Sequence, residues 1–252
     1  MAVLELRELN KSFGGITAVE NLSFQVDENQ ILGLIGPNGA GKTTVINLIT
    51  GFYQPTSGSI FFEGQDITFS SIYQAGRIGI ARTFQNIRLF KRMTVLENVL
   101  MGDKEYNLRP FFSVFDFLKG GKTKRKIERA YAILEELGLQ DHAMKRAGEL
   151  SYGDQRRLEI ARSIATDPKL LLLDEPAAGM NEEETQLLIE DIGRIKNRFK
   201  AIIVVEHDLS VIRQLSHKVV AIDYGKKITE GAPEEVLSHP SVVEAYLGGS
   251  NE

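Results

Sequence analysis

Residues 31–50 read ILGLIGPNGAGKTTVINLIT. An apolar strand candidate, ILGLIG at 31–36, runs straight into GPNGAGKT and then into the helical pattern TVINLIT. Gly36, Pro37, Asn38, Gly39, Ala40, Gly41, Lys42 and Thr43 fit the pattern G-x-x-x-x-G-K-[ST] in the strand-to-helix context it requires. Average residue usage produces such a match by chance in roughly one chain in a hundred of this length. The glycines let the backbone wrap tightly, so that its N–H groups and the helix N-terminus face a phosphate. Lys42 is placed to reach β- and γ-phosphate oxygens, and the Thr43 hydroxyl to ligate Mg²⁺.

The same alternation recurs further along the chain. LLLLDEP at 170–176, AIIVVEHD at 201–208 and KVVAIDYG at 218–225 are apolar strand candidates separated by amphipathic helical stretches. That order predicts an α/β core with a mainly parallel sheet covered on both faces. Upstream, AVLELREL and NLSFQV are short β-type segments separated by the glycine-rich turn FGGITA. From about 86 to 164 helical patterns follow one another without strands, which predicts a helical insertion. One further helix is predicted to begin at Asn181, an N-cap residue with Glu184 at the capping-box position.

LLLLDE places Asp174 at the carboxyl edge of the sheet, where open α/β sheets bind ligands, so it is a candidate to hold Mg²⁺ through water. Its neighbour Glu175 is the candidate to polarise an attacking water. His207 follows AIIVVE, another strand-end position, and its strand is expected beside the phosphate loop, within reach of a γ-phosphate. His142, His217 and His239 read as structural. Gln85, in ARTFQN, stands where the insertion begins, and its amide is a candidate contact for both Mg²⁺ and the water.

ELSYGDQRRLEIAR at 149–162 poses a separate question. Ser151 followed by Asp154 resembles a capping box, and Leu158, Ala161 and Ala165 are spaced to pack a helix that ends before Asp167-Pro168. The Ser151 hydroxyl and the Gly153 amide form an anion site at a helix N-terminus, yet the chain's own nucleotide already has a phosphate loop. RPFFSVFDFLKGGKTKRKIER, 109–129, mixes aromatics with a basic run. It reads equally as a contact for a partner or anionic lipid headgroups and as a mobile segment with a solvated basic face.

Composition bounds the rest. The 252 residues are 42% apolar with a formal charge of -4, which suits a globular core and not a protein that coats nucleic acid. No cysteine is present, so disulfides and thiolate metal sites are excluded, a pattern that suits the cytosol. The start, MAVLELRELN, lacks a basic n-region followed by a long apolar stretch, so export is not expected. The longest apolar runs fall far short of the roughly 20 residues needed to span a bilayer. The tail GGSNE is expected to fray.

Taken in order, Phe13, the phosphate loop, Gln85, LSYGD at 150–154, LLLLDE and His207 resemble the ATP-binding subunits of ABC transporters. The resemblance covers essentially the whole chain. It implies a P-loop NTPase fold with an N-terminal antiparallel β portion and a helical subdomain: one ABC ATPase domain over 1–252, with a core of 1–85 and 165–252 and a helical part at about 86–164. It also implies that two ATPase subunits, like or unlike, sandwich two ATP molecules with Mg²⁺. In that arrangement Phe13 stacks on adenine, Lys42 and Gly39 to Thr44 (Gly39, Ala40, Gly41, Thr43 and Thr44 among them) hold phosphates, and Thr43, Gln85 and Asp174 serve Mg²⁺. Glu175 is the general base, His207 senses the γ-phosphate, and Ser151 and Gly153 act in trans on the partner's nucleotide. The implied partners are integral membrane permease subunits and, indirectly, a substrate-binding protein outside the membrane, with the ATPase on its cytoplasmic face.

FGGITAV, ARTFQNIRLFKRMTVLENV, DEPAAGMN and VVEAYLGG are similar to the longer-insertion ATPase subunit of high-affinity branched-chain amino acid importers. The lipopolysaccharide-export ATPase shares FGG and YLG but usually keeps two glycines in the signature, so Tyr152 favours the importer type. A soluble ABC ATPase of DNA repair or translation is expected to carry tandem domains, long coiled coils or iron–sulfur cysteines. A small-molecule kinase leaves LSYGD and His207 unexplained. Two departures stand out: Asp154 where the signature usually has Gln, and Asn181 where many members have Asp.

Overall fold

The computed structural model describes residues 1–103 and 121–248. Most of the basic aromatic stretch at 109–129 and nearly all of the GGSNE tail lie outside the described residues. The chain divides into two compact units, one formed by 1–85, 169–179 and 195–252, the other by 86–168 and 180–194.

The first unit carries two sheets. In one, β1 (Ala2–Phe13), β2 (Ile16–Asp27), β4 (Ser57–Phe62) and β5 (Gln65–Asp66) pair antiparallel in the order β2-β1-β4-β5. The first two strands are longer than the sequence suggested: only Gly14 and Gly15 separate them, and the FGGITA turn is otherwise absorbed into the ladder. Several register shifts between β1 and β2, together with left-handed Glu8 (φ 46°) and Asn21 (φ 47°), let each strand continue past the point where its polar–apolar alternation breaks.

The second sheet has the order β10-β9-β3-β8-β7-β6, from β3 (Gln30–Ile35), β6 (Ile80–Arg82), β7 (Leu170–Asp174), β8 (Ala201–Val205), β9 (Lys218–Asp223) and β10 (Lys226–Gly231). All neighbours are parallel except the edge strand β10. Every residue of β7 and β8 is buried, as expected of strands covered on both faces. Each fully buried Leu, Ile or Val contributes about 1.5–3 kcal/mol of apolar transfer, which is why these runs lack polar alternation.

Among the described residues five α-helices complete this unit. They are α1 (Lys42–Ile49), α2 (Ile72–Ile78), α7 (Leu209–Leu215), α8 (Pro233–Leu237) and α9 (Pro240–Gly248). A reciprocal capping box between Ser71 and Gln74 starts α2. α1 instead starts from Gly41 at φ 101°, a left-handed backbone that glycine adopts without strain. A Cβ at Gly41 would lie 2.5 Å from the Ala18 carbonyl oxygen, so no other residue fits between loop and β2.

The second unit is helical, with α3 (Val95–Leu100), α4 (Gly121–Glu136), α5 (Tyr152–Ala165) and α6 (Glu182–Ile195). Val95, Val99, Ile133, Leu134, Leu158 and Leu188 are among its buried apolar residues. The stretch 180–194, read from the sequence with the α/β core, packs in this unit instead. Leu188 and Ile192 of α6 are fully buried, and Asp191, also fully buried, accepts from Arg157 of α5 at 2.6 Å and from Arg194 at 2.6 Å. Among the described residues no helix is long and apolar enough to cross a membrane.

Candidate functional site

The parallel pairing of β3 with β8, and of β8 with β7, brings the phosphate loop, His207 and the Asp174-Glu175 pair to neighbouring strand ends. Asn38 and Gly39 are exposed at the loop's outer turn, while Lys42 is buried. Lys42 Nζ donates to the carbonyls of Gly36 at 2.5 Å and Pro37 at 2.9 Å. Burial pushes the Lys42 pKa down, against the pull of the Glu175 and Asp174 carboxylates. The exposed Thr43 and half-buried Thr44 follow it on the first turn of α1.

Asp174 is held by a residue the sequence did not flag. Arg82, at the end of β6, donates to Asp174 Oδ2 at 2.7 Å and to Asn47 Oδ1 of α1 at 2.5 Å. The Asp174 backbone N–H donates to the Thr83 hydroxyl at 3.3 Å. The β6–β7 register, Arg82 opposite Leu172, creates this meeting between residues 92 positions apart.

Glu175 and Gln85 meet directly, Gln85 Nε2 donating to Glu175 Oε2 at 2.7 Å. Glu175 has φ 47°, left-handed for a residue with a Cβ, and its N–H donates to the Val205 carbonyl at 2.8 Å. Such a backbone costs of order 1–3 kcal/mol and clusters at functional sites. His207 lies two residues beyond the end of β8, and its exposed ring turns to its own neighbour, Nδ1 lying 3.8 Å from the Glu206 carboxylate. Glu206, another residue missed in the sequence, is fully buried. Its Oε1 accepts from the Ala177 N–H at 2.7 Å and its Oε2 from the His207 N–H at 3.2 Å. Burial raises its pKa, opposed by the Ala177 hydrogen bond.

Phe13 packs edge-on against Tyr53, with centroids 5.0 Å apart, and the Lys11 ammonium lies 4.8 Å from the Phe13 ring centre. This exposed aromatic face suits a planar base, which gains from stacking on a ring.

The second unit carries the other candidate residues. The Ser151 hydroxyl accepts from the Asp154 N–H at 3.1 Å and caps α5, but the reciprocal half of the box is absent. Arg157 claims the Asp154 carboxylate instead, at 3.1 Å. The Gly153 N–H donates to Glu184 Oε1 at 3.2 Å, while the other Glu184 oxygen accepts from Asn181 N–H at 3.2 Å. Asn181 does cap α6, through the Glu184 N–H at 2.9 Å. Deeper in α5, Arg156 and Glu159 form a fully buried pair at 2.9 Å.

Among the described residues no three His, Cys, Asp or Glu side chains cluster as a metal site. The candidate donors to Mg²⁺ are a hydroxyl, an amide and a carboxylate, the hard oxygen set such an ion prefers alongside phosphate oxygens.

A family model described as "ABC transporter" matches residues 19–178. The chain belongs to the ABC transporter family. A second model, "Branched-chain amino acid ATP-binding cassette transporter", matches residues 226–251 of this ABC ATPase. The "High-affinity branched-chain amino acid transport ATP-binding protein LivG" of Salmonella typhimurium is 43% identical over 251 residues, covering 98% of each chain. A solved ATP-binding cassette of an ABC transporter in its ADP conformation superposes with a TM-score of 0.86 at 34% identity, covering 98% of this ABC ATPase and 99% of that chain. A dimeric ATP-binding cassette in a post-hydrolysis state, bound to ADP and Pi, superposes with a TM-score of 0.73 at 25% identity, covering 91% and 98%. This ABC ATPase therefore hydrolyses ATP on a P-loop fold.

Proposed function

We propose that the chain is the motor subunit of an importer for branched-chain or other hydrophobic amino acids. It would act on the cytoplasmic face of the membrane with a second ATPase subunit and integral membrane subunits, an outer substrate-binding protein being served indirectly. The amino acid class rests on the matched C-terminal stretch and on the branched-chain amino acid transport named for the Salmonella relative.

The observation that carries the hydrolytic reading is the Gln85–Glu175 hydrogen bond of 2.7 Å at the sheet edge that also holds Lys42. Lys42 exchanges its loop carbonyls for β- and γ-phosphate oxygens, and the backbone N–H groups of Gly39 to Thr44 cradle the same charge. Thr43, Gln85 and Asp174 are the residues placed to hold Mg²⁺, which supplies charge neutralisation to the phosphates when bound. Glu175 takes a proton from water as its oxygen bonds to the γ-phosphorus, and the bond to the β–γ bridging oxygen breaks. His207 contacts the γ-phosphate from the end of β8, Phe13 stacks on adenine, and Ser151 with Gly153 completes the partner's site.

Glu175→Gln is the direct test. It keeps a side chain that accepts from Gln85 but removes the base, so ATP binding should persist, hydrolysis should fall by about 10²- to 10⁴-fold, and an ATP-bound dimer should accumulate. A variant that stays monomeric at saturating ATP and hydrolyses at the normal rate refutes the assignment. For the cargo, the complex with its membrane subunits in liposomes should couple ATP hydrolysis to leucine uptake; uptake of none of leucine, isoleucine and valine excludes the proposed class.

A further inference from the structure

Gly36, the first glycine of the phosphate loop, is held at both of its backbone polar groups. Its N–H donates to the Tyr246 hydroxyl at 3.0 Å and its carbonyl accepts from Lys42 Nζ at 2.5 Å. Tyr246 lies on α9, inside the C-terminal stretch matched by the branched-chain family model and 210 residues from Gly36. The loop has no room to shift toward β9, because a Cβ at Gly36 would already lie 2.2 Å from the Ile222 carbonyl oxygen. Burial raises the Tyr246 pKa above that of an ordinary phenol, so the hydroxyl is neutral at physiological pH.

We propose that Tyr246 is a positioning residue of the nucleotide site, through which the C-terminal helix sets the first phosphate-loop peptide and, by its carbonyl, the resting place of the Lys42 ammonium. The proposal rests on the ATP-site reading above. Lys42 must leave the Gly36 carbonyl to meet the phosphates, and where that carbonyl lies depends on what holds the opposite side of the same residue. A C-terminal helix that undocks, or is pulled away by a partner, is then felt as weaker ATP binding at a loop far away in the sequence.

Tyr246→Phe removes the hydroxyl acceptor and keeps the ring. Losing one such hydrogen bond should weaken ATP binding about 3- to 10-fold, seen as a raised Kd by calorimetry and a raised KM in turnover. Turnover at saturating ATP should change less than about twofold, and the nucleotide-free unfolding midpoint should fall by only a few degrees, because the ring still packs and one buried N–H loses its acceptor. Tyr246→Ala should weaken ATP at least as much, whatever its stability. A wild-type Kd and KM in Tyr246→Phe, a fall in kcat alone, or a wild-type Kd in Tyr246→Ala overturns the proposal. Lys42→Ala separates the two layers: if it binds ATP normally, the nucleotide-site reading has failed, whereas loss of binding there beside wild-type affinity in Tyr246→Phe sinks the tail proposal alone.

Discussion

Arg82 donates to Asp174 across 2.7 Å while its second terminal nitrogen holds Asn47 at 2.5 Å, so one guanidinium ties the end of β7 to the phosphate-loop helix. Both side chains of the ion pair are mostly buried. Removing one partner from such a pair leaves an uncompensated charge, at about 3–5 kcal/mol. Arg82→Met should lower stability by that amount in urea titrations. In a double-mutant cycle with Asp174→Asn, the two losses should not add.

Glu206 gives a pH signature. Its folded-state pKa is raised above the ordinary 4.5, so the stability linked to its protonated form is fully present below the unfolded value and is lost as pH rises through the folded one. Glu206→Gln should therefore flatten stability against pH above about 4.5. The gap between wild type and variant should move in the variant's favour from pH 5 to pH 8 in denaturant titrations. An unchanged gap removes Glu206 as the source.

Asp154, the acid where the signature usually has Gln, has its charge satisfied within its own helix by Arg157, which lies at 3.1 Å. An acid beside a triphosphate repels it by charge, but the Arg157 pairing argues for a mild effect. Asp154→Gln should change ATP-driven dimerisation and ATPase rate by less than about threefold, since partly exposed pairs contribute about 0.2–1 kcal/mol. A larger gain in ATP affinity shows that the carboxylate does reach the phosphate.

Ser151→Arg tests which subunit the signature serves. In a mixed dimer with one altered chain, hydrolysis should fail at the site built from the partner's phosphate loop and persist at the other. Loss confined to the altered chain's own phosphate loop contradicts completion in trans.

Much of this was legible in the sequence because the informative features are local. The phosphate loop is contiguous, the strands LLLLD and AIIVV are fully apolar, and Asn181 caps its helix through Glu184 three residues on. Arg82, Glu206 and Tyr246 were not legible. Each acts through a partner fixed by strand register or helix docking, and nothing near them in the chain distinguishes an arginine facing Asp174 from one facing solvent. The length of β1 and β2 was hidden for a related reason: register shifts break the alternation by which strands are recognised.

The left-handed backbone of Glu175 also bears on which inactive descendants of this protein can persist. Asp, Asn and Gly occupy φ near +50° with less strain than Glu, whereas Val, Ile and Thr do not tolerate it. Drift at position 175 therefore has well-folded outcomes of two kinds: a shortened acid, or a subunit that keeps its fold without the acid. A paired complex with one working and one dormant site is a short mutational step from this chain.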